Sequence, residues 1–150
     1  MLNEILDGIT DALYEEFGDD YNIYIEEEEQ SVQEPCFFVN LLETSNFKKI
    51  MGRYYSTNSY CITYYPKTEQ QAREENVYYD PNVECNTVTD RLTECLEYIT
   101  LNSGVVLHGT EIKAKVSNKI LSFFVDYDCI TKNATLGELM QEQKLNQVRK

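Results

Sequence analysis

Basic residues are missing from the first third of this 150-residue chain. From Met1 to Phe47 there are 13 acids and no Lys or Arg, whereas from Lys48 onward 13 acids meet 13 bases. The whole net charge of −13 therefore belongs to the opening segment. Tryptophan is absent, His108 is the sole histidine, and glycine and proline number only six and three. A single histidine excludes multi-histidine metal sites. No GxxxxGK[ST] or GxGxxG phosphate loop occurs, and no GxSxG nucleophile elbow. No apolar run approaches the roughly 20 residues of a membrane-spanning helix. The acid excess argues against a general nucleic-acid binder, because phosphate contacts need Lys and Arg in surplus.

The five cysteines, Cys36, Cys61, Cys85, Cys95 and Cys129, are odd in number and include no CxxC pair. With no signal-peptide pattern at Met1, reduced thiols in a cytosolic setting are the expectation. Cys36, Cys61 and Cys129 fall in strand-like runs, where a thiol acts as a small buried apolar group. A calcium loop sought from Asp20 fails, because Tyr24 and Ile25 occupy the fifth and glycine places. His108 sits in a polar turn, where a solvated imidazole is the base-rate expectation. The sequence thus predicts no catalytic residue, no metal site and no cofactor, and it points to binding or assembly.

What is present reads as one α+β domain over residues 1–130, followed by a C-terminal helix or arm over 131–150. Leu2, Ile5, Leu6, Ile9, Ala12, Leu13 and Phe17 recur at three- and four-residue spacing with acids between them, predicting an amphipathic helix. Gly18 can adopt the left-handed conformation that ends it. Tyr21–Ile25 and Cys36–Leu42 read as strands, the second a nearly continuous apolar run opened by Pro35. Arg53-Tyr54-Tyr55 and Tyr60–Tyr65 form either one long bulged strand or a hairpin about Ser56-Thr57-Asn58. Lys67 to Pro81 is polar and reads as an exposed loop, with a turn at Asp80-Pro81. A second helix, capped by Thr87 or Thr89, carries the stripe Val88, Leu92, Cys95, Leu96 and Ile99 and ends at Asn102-Ser103-Gly104. Strands over Thr110–Val116 and Ile120–Ile130 follow, with one face of the first wet at Lys113 and Lys115. The expected architecture is an antiparallel or mixed sheet of four to five strands with two main helices packed mostly on one face.

Two surface features bear on assembly. Glu26, Glu27, Glu28 and Glu29 are four adjacent carboxylates between the first two strands. Such a run is either a solvated face or a partner-facing one. Tyr78-Tyr79 lies within the polar loop, where core burial is disfavoured and an interface role, common for tyrosine, is favoured.

The order of these segments is specific where no single one is. The opening helix with Tyr21-Asn22-Ile23-Tyr24, then Gln33-Glu34-Pro35-Cys36-Phe37-Phe38, Gly52-Arg53-Tyr54-Tyr55 and Ile62-Thr63-Tyr64-Tyr65-Pro66-Lys67, resembles a family of small proteins of Gram-positive phages and prophages described as tail-terminator-like. Leu96-Glu97-Tyr98-Ile99 and Phe123–Asp128 continue the match, which covers Met1 to Ile130. Thr63 stands where histidine is expected, and the Lys67–Asn86 segment is longer than usual. The resemblance implies a structural protein that acts in the host bacterial cytoplasm during assembly and ends in the virion tail. It implies a homo-oligomer, typically a ring of six, that caps the tail tube, stops its polymerisation and joins it to the head-side connector. The implied partners are the chain itself, the tail tube protein and the connector or stopper protein, with no membrane and no sequence-specific nucleic-acid binding. On that reading Glu26–Glu29 line or approach the DNA channel and repel phosphate. Six copies at −13 repel one another, so assembly is expected to be easier at higher salt or on a tube template. The alternatives are a head–tail stopper, and an acidic DNA mimic that inhibits a host nucleic-acid-binding protein.

Overall fold

The computed structural model describes residues 2–25 and 33–132. The amphipathic stripe forms α1 (Leu2–Phe17), with Ile5, Ile9, Leu13 and Phe17 buried. Gly18 ends it at φ 78°, a left-handed position that costs glycine nothing. After a 3-10 turn over Gly18–Asp20, the remaining elements are β1 (Asn22–Ile25), β2 (Cys36–Ile50), β3 (Arg53–Tyr65), α2 (Glu69–Glu74), α3 (Pro81–Leu96), β4 (Tyr98–Thr100), β5 (Val106–Ser117) and β6 (Ile120–Lys132). The strands form one sheet in the order β1-β2-β3-β6-β5-β4. β1 runs parallel to β2 and every other neighbouring pair is antiparallel, so the sheet is mixed. It curls in the manner of a half-barrel.

One face of this sheet builds the core. Phe37 and Val39 of β2, Tyr60, Ile62 and Tyr64 of β3, and Leu121, Phe123, Val125 and Tyr127 of β6 alternate inward. Onto them pack the stripes of α1 and of α3, the latter through Cys85, Val88, Leu92 and Leu96. Each buried Leu, Ile or Phe contributes about 1.5–3 kcal/mol, so docking onto the sheet, rather than propensity, holds both helices. Arg91 ties the two helices together. Its Nε lies 2.9 Å from a Glu16 carboxylate oxygen, its terminal NH2 donates to the Glu16 carbonyl at 2.7 Å, and its guanidinium sits 4.3 Å from the Phe17 ring centre.

The expected count of four to five strands and two main helices is corrected to six strands and three α-helices among the described residues. Helical spacing of Ile99 after Leu96 predicts that the second helix runs through the residues of β4. Antiparallel pairing of Tyr98–Thr100 with His108–Val106 claims them instead. α2 lies inside the segment read as loop, where Thr68 and Gln71 form a reciprocal capping box. α3 begins at Pro81, six residues before Thr87, because Asp80 caps it through the Val83 amide and Pro81 fits the first helical turn. Arg53–Tyr65 is one continuous strand, and the irregularities fall in its partner, between Leu41 and Glu43 and between Ser45 and Lys48. Both faces of β5 are wet from Lys113 to Ser117, not one. The expected helix or arm beyond Ile130 enters β6 as far as Lys132, and 133–150 lie outside the described residues.

Of Gly8, Gly18, Gly104 and Gly109, it is Gly109 that has the least room for a side chain. A Cβ there would stand 2.7 Å from the Leu96 carbonyl oxygen and 2.8 Å from a Val125 methyl. The Gly109 amide donates to the Glu97 carbonyl at 2.6 Å, and the buried Tyr127 hydroxyl donates to the Leu96 carbonyl at 2.5 Å. These bonds absorb the carbonyls at the end of α3 that have no partner within the helix.

Candidate functional site

The reactive groups of the described residues do not converge. No group of three or more His, Cys, Asp or Glu side chains among them is placed to hold a metal ion. The five cysteines are free thiols, four of them buried and Cys95 half-buried. Burial pushes the thiols of Cys36 and Cys95 up to about 12 and that of Cys85 to about 11, which keeps them protonated at neutral pH. His108 stacks on Tyr98 at 4.7 Å between ring centres, with the Glu97 carboxylate 3.8 Å from its Nε2. Among the described residues, no helix is long and apolar enough to cross a membrane.

What the fold does present is a set of exposed surfaces. β1 covers only Cys36–Val39 of β2, and β5 covers β6 only as far as Tyr127. Past those points Asn40–Ile50 of β2, Arg53–Asn58 of β3 and 128–132 of β6 continue as a three-stranded arm. Both edges of this arm lack a strand partner among the described residues, and open edges invite pairing with another chain. At its tip Met51 is 95% exposed, flanked by exposed Ile50 and Tyr54 and by Lys48, Lys49 and Arg53. Lys49 reaches the Tyr54 ring at 5.7 Å, and none of the three cations makes an ion pair among the described residues.

Beside α1 lies a groove of about 950 Å³, walled by Asp11, Tyr14, Glu15 and Glu16 on one side and by Tyr98, Thr100 and Leu101 on the other. The helix seats close to this wall at Gly8, where a Cβ would come within 3.2 Å of Leu101. Arg91 occupies Glu16, while Asp11 and Glu15 have no ion-pair partner among the described residues. Tyr14 and Tyr98 expose more than half of their surface at its rim.

Tyr78 and Tyr79, the tyrosine pair singled out from sequence, fall between α2 and α3. Tyr78 is 85% exposed, and Tyr79 is half-buried with the Lys119 ammonium 5.9 Å from its ring centre. They border a concavity of about 380 Å³ together with exposed Val77 and Val83. Behind it the buried Tyr64 hydroxyl and the Lys67 amide both donate to Glu84, and burial with that carboxylate drives the Tyr64 pKa upward. Glu26, Glu27, Glu28 and Glu29 lie outside the described residues. Sequence reasoning missed both the arm tip and the α1 groove. The two-residue Met51-Gly52 step was a legible turn signal, whereas the groove needs two segments more than 80 residues apart to meet.

No curated protein matches the sequence. A family model described as phage tail terminator protein matches residues 4–135. Most of the chain falls within that match, including every strand and all but the first two residues of α1 among the elements described above, and the chain belongs to the phage tail terminator protein family.

Proposed function

We propose that this protein forms a ring that caps the tail tube, ends tube polymerisation and joins the tail to the head-side connector. Family membership makes it a structural phage tail protein that meets other tail components. The observation that carries the finer reading is the three-stranded arm, with two open edges and an apolar tip, on a small domain whose core cluster draws only Cys129 from it. An isolated monomer gains nothing from such a projection, whereas a ring needs one surface that engages a different surface of its neighbour. Six subunits are the expected closure.

Within that ring Glu26–Glu29 face the DNA channel, where carboxylates keep phosphate from binding and let the duplex slide. A ring structure with these residues on the outer rim overturns that assignment. Tyr78 and Tyr79, with Val77 and Val83 beside them, supply an axial contact to tube or connector. The test of the function as a whole is absolute mass by light scattering after size exclusion, at low and high salt, followed by tube-length measurement. A mass near six times 17.5 kDa and tubes arrested on addition of the protein support the reading. Tubes that grow undisturbed, with no bound protein, overturn it and leave the stopper role.

A further inference from the structure

We propose that the Lys48–Arg53 tip of the arm on one copy docks into the acidic groove beside α1 of a second copy, forming the lateral joint of the ring. This rests on the ring reading above and names the interface it requires.

The tip is built at a cost that its own fold does not repay. Met51 and Gly52 sit at φ 51° and 77°, a two-residue turn with both central residues left-handed. Asn, Asp or Gly holds the first of these positions more cheaply than methionine, yet a methionine stands there with 95% of its surface in water. Ile50 and Tyr54 are exposed beside it, and Lys48, Lys49 and Arg53 supply three cations in a chain of net charge −13. The finger is therefore apolar at its point and basic at its flanks, and it asks for a surface that is aromatic and acidic.

The groove beside α1 offers that chemistry. Asp11 and Glu15 are exposed carboxylates with no ion-pair partner among the described residues. Tyr14 and Tyr98 present ring surface suited to a thioether. A copy cannot fill its own groove. Tyr60 anchors β3 near the start of α1 through a bond from its hydroxyl to the Leu2 carbonyl, and the arm runs seven residues further to Arg53. At roughly 3.3 Å per residue the tip stands some 23 Å beyond that anchor. Tip and groove thus lie on different parts of a rigid body, which makes the contact head-to-tail and able to close by rotation.

The experiment reverses each surface with exposed residues only, leaving the core untouched. One variant carries Lys48→Glu, Lys49→Glu and Arg53→Glu; the other carries Asp11→Lys and Glu15→Lys. Unchanged circular dichroism and melting establish that both fold. Mass is read by light scattering, alone and with tubes assembled from the tube protein of the same phage, and a benzophenone amino acid at Met51 maps the contact by cross-linking. Each variant alone is expected to lose assembly by roughly tenfold or more. An equimolar mixture is expected to regain it, because in an alternating ring every acidic tip meets a basic groove and every basic tip an acidic one. The cross-link is expected to land on α1 or β4 of another copy. Rings that survive either reversal, a mixture that does not recover, or a Met51 cross-link to the tube protein or to another surface overturns the docking while the ring stands. A native chain that stays monomeric with and without tubes overturns the ring reading and the docking with it.

Discussion

Replacing Gly109 by alanine should be more damaging than the same change at Gly8, Gly18 or Gly104. The added Cβ meets the Leu96 carbonyl at 2.7 Å and a Val125 methyl at 2.8 Å, both well inside ordinary contact distance. Neither neighbour is free to move. Leu96 is fully buried, and its carbonyl also accepts the Tyr127 hydroxyl at 2.5 Å. Val125 lies in the centre of β6, fully buried between α3 and the sheet. Relief must come from shifting β5 away from the end of α3, which stretches the 2.6 Å bond from the Gly109 amide to the Glu97 carbonyl. Overpacking of this kind costs about 1–3 kcal/mol, and weakening one or two buried hydrogen bonds adds about 1 kcal/mol each. A loss of about 3 kcal/mol should lower the melting temperature by roughly 6–12 °C in a domain this size. Thermal melts followed by circular dichroism, with urea midpoints alongside, measure it. Gly104→Ala is the control: at φ 95° with open space around it, only backbone strain of about 1 kcal/mol applies. A Gly109→Ala protein within about 0.5 kcal/mol of the parent would refute the close approach of β5 to α3.

Tyr127→Phe should cost about 1–2 kcal/mol in urea titration, because it leaves the Leu96 carbonyl buried without its partner. Arg91→Ala should cost about 1–2 kcal/mol by losing the Glu16 contacts and the Phe17 stack, with Arg91→Lys restoring only part, since lysine cannot reach both acceptors with a flat fork. Stability should fall as pH rises above about 8.5: Cys36, Cys85 and Cys95 hold their protons to about 11–12 in the fold, while unfolded thiols ionise near 8.5, so the denatured chain sheds protons first. Urea midpoints unchanged between pH 8 and 11 would contradict this. The same burial predicts that Ellman's reagent labels the native protein slowly at pH 8 and all five thiols quickly in urea.

Legibility in the sequence followed the source of each element's order. α1 was readable end to end, because its apolar stripe and its Gly18 stop are local signals. The capping box Thr68–Gln71 and the Asp80-Pro81 helix start were equally local, and they were hidden by the polarity of a segment read as loop. β2 defeats pattern reading for a different reason. Its apolar run stops at Leu42, yet the strand continues to Ile50 because Lys48, Lys49 and Ile50 pair with Tyr55, Tyr54 and Arg53. Long-range pairing overrides propensity there. β4 shows the same override in reverse, since Ile99 satisfies a helical period and is taken by a strand. Of the surfaces, Tyr78 announced itself as a tyrosine in a polar stretch, whereas the groove beside α1 exists only once β4 has been placed.

The charge asymmetry of the sequence acquires a spatial meaning through β2. Acids at Asp7, Asp11, Glu15 and Glu16 ride on α1, and the first bases of the chain, Lys48 and Lys49, stand at the far end of a 15-residue strand. Fourteen steps at roughly 3.3 Å carry the chain some 45 Å from Cys36 to the tip. Counted from the Tyr60 anchor near the start of α1, the tip stands some 23 Å out at roughly 3.3 Å per residue, about two Debye lengths of about 10 Å each at 0.1 M salt. Copies approaching at random feel the repulsion of two −13 bodies. Groove against groove and tip against tip are both repulsive, so a symmetric dimer through either surface is disfavoured. Of the pairings between these two surfaces, tip against groove is the one that brings opposite signs together, and it is directional. On the docking proposed above, the acidic third and the bases that follow it therefore act together: one suppresses random association, and the other selects the head-to-tail orientation that a closed ring demands.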